Sequence, residues 1–263
     1  MDEDRRRFMK LIGAMGLGAA FPLFRNITFG NVAAKRIDNV PASKQLGMII
    51  DIEKCLSSTV RDACIAACRR EHNLPVDTNN PERSYRWIWT DDFASAFPDQ
   101  VHEHFPETLK KQPVLALCNH CSSPACTKVC PVKATWKRAE DGIVMMDMHR
   151  CIGCRYCMAA CPYRARSFNW FYPRPDIKGP SNPEYPTRTK GVVEKCTFCA
   201  ERIGLGREPA CVEASKKVAG GAGALTFGNL SDPRSEVSRI LREKRTICRQ
   251  TGFGTRPNIY YIV

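Results

Sequence analysis

Cysteines in short-spaced groups constrain this chain more than any other feature of its sequence. One run, from Cys151 to Pro162, follows the pattern C-x2-C-x2-C-x3-C-P. Three thiolates in one tight loop can each bind a different iron of a [4Fe–4S] cubane, whereas the fourth lies on the next turn and points toward a second cluster. The run therefore predicts a pair of [4Fe–4S] clusters.

The same spacing disfavours the two other common uses of grouped cysteines. A tetrahedral zinc site typically uses two separated Cys-x-x-Cys pairs, whereas here three cysteines fall within seven residues. Disulfides between such close neighbours would constrain little, and the total of 15 cysteines is odd. We therefore favour iron–sulfur ligation over a zinc site or a disulfide framework.

Four cysteine groups follow one another along the chain, and we number them motifs one to four. Motif three is the run just described, and motif two has two extra residues in its loop. Motif four has a longer loop, and Ser215 stands where its last cysteine would be. Motif one is degraded, with Ser58 at the spacing of a second cysteine. The cysteines are Cys55, Cys64 and Cys68 in motif one, Cys118, Cys121, Cys126 and Cys130 in motif two, Cys151, Cys154, Cys157 and Cys161 in motif three, and Cys196, Cys199 and Cys211 in motif four.

Short apolar runs beside the motifs predict a small α+β fold. We expect strands at 48–52, 114–117, 143–146, 192–193 and 225–227, and a turn at 139–142 that makes the third of these one arm of a hairpin. The apolar periodicity of 235–244 predicts a helix.

Two insertions, at 72–112 and 163–190, carry aromatic residues between the motifs. We expect Trp87 and Trp89 to pack over the clusters and exclude water. For the segment from Trp170 to Tyr172, packing and partner docking are equally good interpretations, because aromatic side chains also anchor interfaces.

Residues 1–34 resemble an export signal rather than part of the fold. The stretch Arg5-Arg6-Arg7-Phe8-Met9-Lys10 is similar to a twin-arginine signal, which directs already folded proteins across the membrane, although Asp4 stands where Ser or Thr is usual. An apolar stretch follows at 11–24, and Val32-Ala33-Ala34 suits a signal peptidase. We expect the protein on the periplasmic or exported face of the cytoplasmic membrane, attached peripherally.

Several function classes are disfavoured. The formal net charge of +13 would suit nucleic-acid binding, but export argues against it. No apolar run reaches the roughly 18–20 residues of a membrane span. The glycines at 220–223 lack the dinucleotide-binding spacing, and no catalytic triad or carboxylate pair stands out, so we expect no catalysis by the chain alone.

With its signal included, the chain resembles the exported, four-motif, ferredoxin-like iron–sulfur subunits of membrane redox complexes. Within them it is most similar to the O subunits (DsrO) of the membrane complex linked to dissimilatory sulfite reductase. The likeness is carried by the signal, Asp51-Ile-Glu-Lys-Cys55, Cys118-Asn-His-Cys121, motif three, Val193-Glu-Lys-Cys196-Thr-Phe-Cys199 and Pro209-Ala-Cys211.

The resemblance implies two interleaved bacterial-ferredoxin-like units with loop insertions. The outer unit would comprise residues 35–115 plus 192–263, with motifs one and four, and the inner unit residues 116–191, with motifs two and three. This pairing implies three [4Fe–4S] clusters. The ligands would be Cys118, Cys121, Cys126 and Cys161 (set A), Cys151, Cys154, Cys157 and Cys130 (set B), and Cys196, Cys199, Cys211 and Cys68 (set C). A fourth site would be degenerate, with only Cys55, Cys64, Ser58 and Ser215 remaining.

The resemblance further implies an electron-transfer subunit of a hetero-oligomer. The expected partners are an integral membrane subunit that interacts with quinones and a multihaem cytochrome c. The alternative is the iron–sulfur subunit of a molybdopterin oxidoreductase, which would also carry electrons but to a different enzyme.

A few remaining residues have narrower expectations. His120 and Arg155 lie inside cluster loops and should tune reduction potentials through hydrogen bonds or positive charge. His102 and His104 should be solvated rather than bound to a metal. Cys55 and Cys64 are candidates for a disulfide, and Cys248 should be a small buried hydrophobe.

Overall fold

A computed structural model of the protein describes residues 44–75, 85–177, 182–185 and 188–263. The expected export signal at 1–34 lies outside these residues. The strands are β1 (Leu46–Asp51), β2 (Ile88–Asp92), β3 (Pro113–Leu117), β4 (Thr135–Lys137), β5 (Val144–Met146), β6 (Ser167–Phe168), β7 (Val193–Glu194), β8 (Leu225–Asn229), β9 (Thr246–Ile247) and β10 (Ile259–Ile262). The α-helices are α1 (Ser58–Glu71), α2 (Phe93–Ala96), α3 (Glu107–Lys110), α4 (Ala125–Lys128), α5 (Tyr156–Ala159), α6 (Ala200–Gly204), α7 (Ala210–Lys216) and α8 (Glu236–Glu243).

The largest sheet joins segments from near both ends of the described chain. Its strand order is β8-β1-β10-β9, with β1 antiparallel to β8 and parallel to β10. All of β1 is buried, which explains why its sequence is a nearly continuous apolar run instead of an alternating one. The core around it includes Met48, Ile50, Leu225 and Tyr261.

Three two-stranded sheets position the motifs that lie between these ends. Strand β2 pairs with β3 before motif two, β4 and β5 form a hairpin between motifs two and three, and β6 pairs with β7 between motifs three and four. The hairpin turns at Gly142, whose φ of +73° suits a residue without a Cβ.

Helices α1 and α7 pack against each other and carry cysteines of motifs one and four. Together with the pairing of β1 and β8, this contact joins the segments that flank motifs two and three. The α+β class is therefore confirmed, while the division into an outer and an inner ferredoxin-like unit stays a prediction.

The expected local elements agree with the structure where the sequence signal was strong. All five expected strands are present, and the helix expected at 235–244 is α8. Ser235 caps α8, because its Oγ accepts a hydrogen bond from the Ser238 N–H at 3.2 Å. None of the described helices is both long and apolar enough to cross a bilayer.

Candidate functional site

The four cysteines of set A line one pocket. Cys118 and Cys121 follow β3, Cys126 lies on α4, and Cys161 follows α5, and all four line one small pocket. Burial and, to a smaller extent, the other three cysteines of the set raise the pKa of the Cys121 thiol to about 12. The structure thus brings together the four side chains that were predicted to share a cluster.

Set C converges in the same way, deeper in the molecule. Its four cysteines are all buried: Cys68 on α1, Cys196 and Cys199 before α6, and Cys211 on α7. Burial raises the pKa of the Cys68 thiol well above its ordinary value, and the other three members of the set are the next contributors. Motif one therefore supplies a thiol to the cysteines of motif four.

Set B lies nearer the surface. Cys151, Cys154 and Cys130 are half-buried, whereas Cys157 on α5 is buried. Burial raises the pKa of the Cys157 thiol, and Cys151 is among the charges that raise it further. Helix α4 leads toward Cys130 and packs on α5, so the predicted fourth member follows a helix that contacts the others.

Backbone N–H groups point at several of these sulfurs. The N–H groups of Val193, Phe198 and Ala210 donate to Cys151, Cys196 and Cys199, each at 3.4 Å, and the Ala134 N–H donates to Cys130 at 3.2 Å. Such bonds stabilise thiolates and are one determinant of cluster potentials. Three sets of soft thiol ligands with oriented N–H donors are a donor set that fits iron–sulfur clusters.

The Cys-x-x-Cys loops share one unusual backbone conformation. His120, Gly153 and Phe198 each precede the second cysteine of their pair, and their φ angles are +40°, +71° and +57°. Left-handed backbone is uncommon for non-glycine residues and concentrates at functional sites. The internal repeat of the sequence is therefore also a repeat of loop conformation.

Set A is the neighbour of both other sets. Cys126 of set A is among the charges that raise the pKa of Cys157 in set B, after burial. Cys118 of set A is the largest contributor after burial to the raised pKa of Cys196 in set C. The rings of His120 and Phe198 stack between sets A and C, with centroids 3.7 Å apart and planes inclined by 15°. The three sets are thus adjacent in the order B, A, C.

Buried cations accompany the cysteines. Arg166 donates to Thr135 Oγ1 at 2.9 Å, and the pKa of its guanidinium is raised because Cys126 and Cys157 outweigh the opposing effect of burial. Lys195 is buried and donates to the Cys196 carbonyl at 2.7 Å. Because clusters held by four thiolates carry negative charge, these side chains offset part of it.

His120 is neutral, which limits the ways in which it can influence the reduction potential of a cluster. Its ring is fully buried, and burial lowers its pKa well below the ordinary value. Nδ1 accepts a hydrogen bond from the Val144 N–H at 3.2 Å, which leaves the proton on Nε2. His120 can therefore offer a hydrogen-bond donor but no positive charge. Arg155 is exposed and lies over the rings of Phe168 and Trp170, at 5.4 and 4.9 Å.

His72 is a site residue that the cysteine pattern does not predict. Its Nε2 lies 3.2 Å from Cys199 Sγ, and its ring packs against Trp87 and Tyr185 with centroids 4.5 and 4.8 Å apart. Burial lowers the pKa of His72 to about 3, so the ring is neutral. One signal in the sequence could have found it, because His72 follows Cys68 by four residues, the spacing of neighbours on a helix.

The degenerate fourth site is closed by packing. Cys55, Cys64 and Ser215 have no exposed surface, and both thiols belong to the apolar core. Cys64 Sγ lies 3.4 Å from the Cys211 carbonyl oxygen, and Ser215 Oγ donates to the Val212 carbonyl at 2.8 Å. Burial raises the pKa of both thiols to about 12, so they are protonated. Ser58 is exposed on the first turn of α1 and does not join them.

The disulfide suggested for Cys55 and Cys64 is not formed. All fifteen cysteines lie in the described residues, and none of them is in a disulfide. Cys248 is half-buried rather than fully buried, and burial raises its pKa to about 11. His102 and His104 are exposed, as expected for solvated residues.

Some aromatic residues of the two insertions are buried, and others are exposed. Trp87 is buried and donates to Glu194 at 3.2 Å, beside an Arg188–Glu194 ion pair of 2.7 Å, so it packs as expected. Trp170 and Tyr172 remain substantially exposed.

Among the described residues, no three His, Cys, Asp or Glu side chains stand close enough to hold a single metal ion.

Comparisons with known proteins agree with this chemistry. Residues 112–173, which span motifs two and three, match the 4Fe-4S dicluster domain family. The chain is 40% identical to the Hdr-like menaquinol oxidoreductase iron-sulfur subunit 1 of Archaeoglobus fulgidus, over 98% of this chain and 97% of that protein. It is 36% identical to the menaquinone reductase iron-sulfur cluster-binding subunit of Nitratidesulfovibrio vulgaris, over 82% and 88%. It is 30% identical to a subunit of the tetrathionate reductase of Salmonella typhimurium, over 100% and 89%.

Proposed function

Because the chain belongs to the family of ferredoxin-like iron–sulfur subunits of oxidoreductase complexes, we propose that it relays electrons through three [4Fe–4S] clusters held by sets A, B and C. It would carry electrons between an integral membrane subunit that interacts with quinones and the other redox subunits of its complex. The chain itself is an electron-transfer subunit and not the catalyst.

One observation supports this proposal: cysteines of the three predicted sets lie near one another, with Cys126 of set A acting on Cys157 of set B and Cys118 of set A acting on Cys196 of set C. The clusters would supply one-electron redox chemistry, and the protein would hold them in place. The cysteines would bind the irons, the backbone N–H groups and His72 would stabilise the thiolates, and Arg166 and Lys195 would offset their charge. The buried aromatic residues would exclude water.

The complex that we propose is the membrane complex linked to sulfite reduction, with the chain in a DsrO-like position. The support is the sequence resemblance together with relatives named for menaquinol oxidation and menaquinone reduction. A multihaem cytochrome c is the proposed further subunit. The alternative, an iron–sulfur subunit of a molybdopterin oxidoreductase, is favoured by the relatives named for tetrathionate reductase and for a putative dimethyl sulfoxide reductase.

Purification of the intact complex in mild detergent tests this proposal. We expect the chain to co-purify with an integral membrane subunit and its clusters to be reduced when a menaquinol analogue is added anaerobically. Each quinol would give up two electrons, one at a time, and release two protons at the membrane subunit. A molybdopterin subunit in the purified complex would favour the alternative, and clusters that stay oxidised with quinol would contradict the quinone link.

We also propose that the protein is exported through the twin-arginine route, because residues 1–34 carry that pattern and clusters are assembled before translocation. Replacing Arg5 and Arg6 together (Arg5→Lys/Arg6→Lys) should leave cluster-loaded protein in the cytoplasm. Cell fractionation with iron analysis measures this, and a single Lys10→Arg variant serves as the control that keeps the same charge. Normal export of the double variant would show that another route is used.

A further inference from the structure

Three arginines line a cleft whose described lining includes no cysteine. The cleft has a volume of ≈ 410 Å³, and its charged side chains are Arg86, Arg164, Arg249 and Asp91. Three positive charges against one negative charge leave it with a formal charge of +2. A concave site lined mainly by charges of one sign attracts ligands of the opposite sign. We call this site the arginine cleft.

Arg249 is the unusual member of the cleft, because its charge is buried. Only 2% of the residue is exposed to solvent. Nε donates to the Ala96 carbonyl at 3.2 Å, and Nη2 lies 4.0 Å from Asp91 Oδ2. Nη1 has no hydrogen-bond partner among the described residues. Buried charged groups are ordinarily paired and fully hydrogen-bonded, so the chain alone compensates this guanidinium only in part.

Asp91 is the acidic residue of the cleft, and its carboxylate already has other partners. Oδ2 accepts a hydrogen bond from Trp89 Nε1 at 3.3 Å, and Oδ1 accepts one from the next backbone N–H at 3.1 Å. Its distance of 4.0 Å from Arg249 is long for an ion pair. Arg86 and Arg164 are exposed, and neither forms an ion pair with another described residue. Most of the positive charge of the cleft is therefore available to a ligand.

The lining of the cleft indicates the chemistry of that ligand. Guanidinium groups bind carboxylates and phosphates through paired hydrogen bonds, and a charge of +2 is matched by two negative charges. A volume of ≈ 410 Å³ is typical of small-molecule sites and leaves room beyond a bare inorganic anion. Ala94, Pro98 and Pro162 supply apolar walls, and Ser95 and Gln250 supply neutral polar groups. These features fit a small organic dianion, either a dicarboxylate or a phosphate monoester.

The cleft and the pocket of set A share a wall. Pro162 and Tyr163 line both, and they directly follow Cys161. The Tyr163 ring is centred 5.7 Å from the Arg249 guanidinium, and its hydroxyl hydrogen-bonds with Thr255 Oγ1, on the set A side. Charges interact more strongly across buried protein than across water. A negative charge bound in the cleft would therefore act on set A through this wall.

We propose that the arginine cleft binds a small organic dianion, and that the bound ligand lowers the reduction potential of the cluster of set A. The potential falls because the ligand's negative charge disfavours the addition of an electron nearby. By reciprocity, the reduced protein binds the ligand more weakly than the oxidised protein does. The binding site goes beyond the proposed function, whereas the effect on potential rests on it.

Calorimetric titration of the full, cluster-loaded, oxidised chain tests the site. The probes are succinate and glycerol 3-phosphate, which distinguish the two kinds of dianion, with butyrate as a singly charged comparison and sulfate as an inorganic one. At least one dianion should bind about tenfold or more tightly than butyrate and sulfate, because it makes an additional charge-assisted contact or fills more of the cleft. Neither dianion binding at millimolar concentrations would overturn the site, and sulfate binding equally tightly would show an adventitious ion only.

Variants locate the bound probe. Arg86→Gln/Arg164→Gln should weaken dianion binding about tenfold or more. Arg207→Gln/Arg234→Gln is the matched control, because it removes the same charge at exposed side chains outside the cleft and should bind like the wild type. Should the cleft variant fail to fold, Arg164→Gln alone decides against Arg234→Gln. Equal affinity of the cleft variant and its control would overturn the site.

An EPR-monitored redox titration tests the effect on set A. With saturating dianion, one potential should fall in the wild type, and none should fall in the cleft variant. Unchanged potentials with the dianion bound would overturn the coupling and leave the binding site standing. Iron analysis that finds no cluster at set A would contradict the proposed function, and the calorimetric result would still stand. Loss of co-purifying subunits in the cleft variant, with no free anion bound by the wild type, would assign the cleft to an acidic side chain of a partner and overturn the proposal.

Discussion

His72 is a single residue whose removal should change one cluster and leave the others as they are. Its Nε2 contacts Cys199 Sγ, and the ring is neutral, so it donates a hydrogen bond to the thiolate of set C. A reduced cluster carries one more negative charge than an oxidised one, so this bond is stronger in the reduced state. His72 should therefore raise the reduction potential of that cluster.

Replacing His72 with phenylalanine (His72→Phe) should lower that potential by about 40 mV, equivalent to about 1 kcal/mol of hydrogen-bond energy. Phenylalanine keeps a ring between Trp87 and Tyr185, and it also removes the unpartnered Nδ1, so the fold should persist. An EPR-monitored redox titration should show one of three potentials shifted. His102→Phe, at an exposed site, is the control, and three unchanged potentials in His72→Phe would refute this role.

The cysteine pattern does not predict residues such as His72. The resemblance to four-motif ferredoxin-like subunits implies the twelve candidate ligands, whereas spacing alone predicts the ligands of motif three, because it reflects how thiolates reach the irons of a cubane. Neither predicts the donor to Cys199, because the contact joins residues 127 positions apart through the packing of motif one on motif four. The neutrality of His120 likewise depends on a depth of burial that the loop sequence does not reveal.

At the scale of elements, the loop of motif three depends on glycine at one position. Gly153 has a φ of +71°, and a Cβ there would lie 2.3 Å from the Gly191 carbonyl oxygen and 3.2 Å from the Phe168 ring. The backbone on both sides is fixed, since Val193 donates to Cys151 and β6 pairs with β7. An added methyl group must therefore displace the loop.

The variant Gly153→Ala should lose the cluster of set B, seen as roughly four fewer irons per chain, together with a lower melting temperature. Gly206→Ala is a matched control, because its φ of +73° imposes a similar backbone penalty while nothing lies within 4 Å of the added Cβ. Iron analysis and thermal unfolding of both variants measure the difference. Equal iron content in the two would mean that the close approach to Gly191 does not constrain the loop.

The sequence predicts a strand or helix where residues within that element or its turn determine its conformation. The hairpin of β4 and β5 follows from Asp141-Gly142, and α8 from its apolar period and Ser235 cap. The ligand spacing of its cysteines does not predict helix α1. Counted as apolar residues, its buried positions Val60, Cys64, Ala67 and Cys68 have helical spacing. The parallel pairing of β10 with β1 joins distant parts of the chain, which no local pattern specifies.

At the scale of the whole molecule, the structure bears on the number of clusters that the chain holds. Cys64 and Cys68 lie one turn apart on α1, and both are buried, yet their surroundings differ. Cys68 faces the three cysteines of motif four, whereas Cys64 lies against the Cys211 carbonyl, within the apolar core near Cys55. One helix thus carries a cysteine of set C and a cysteine that has become part of the core.

This contrast gives a matched pair of substitutions. The wild-type protein should hold three clusters, or about twelve irons, when purified anaerobically. The variant Cys55→Ala/Cys64→Ala should keep all three clusters, because the protonated thiols that it removes act only as small core side chains. It should lose only about 1–2 kcal/mol of stability through the small cavities that the substitutions create. The variant Cys68→Ala removes a thiol from the same helix but from set C, so iron should fall by roughly four per chain.

Iron and acid-labile sulfide analysis, with thermal unfolding alongside, measures both effects. About sixteen irons in the wild type, falling by about four in Cys55→Ala/Cys64→Ala, would mean that the fourth site still binds a cluster. That outcome would require the core around Cys55 and Cys64 to open. It would also require ligands other than the exposed Ser58, and Ser215 would have to give up its bond to the Val212 carbonyl. Because the structure fills that space with buried side chains, we expect the row of clusters to end at set C.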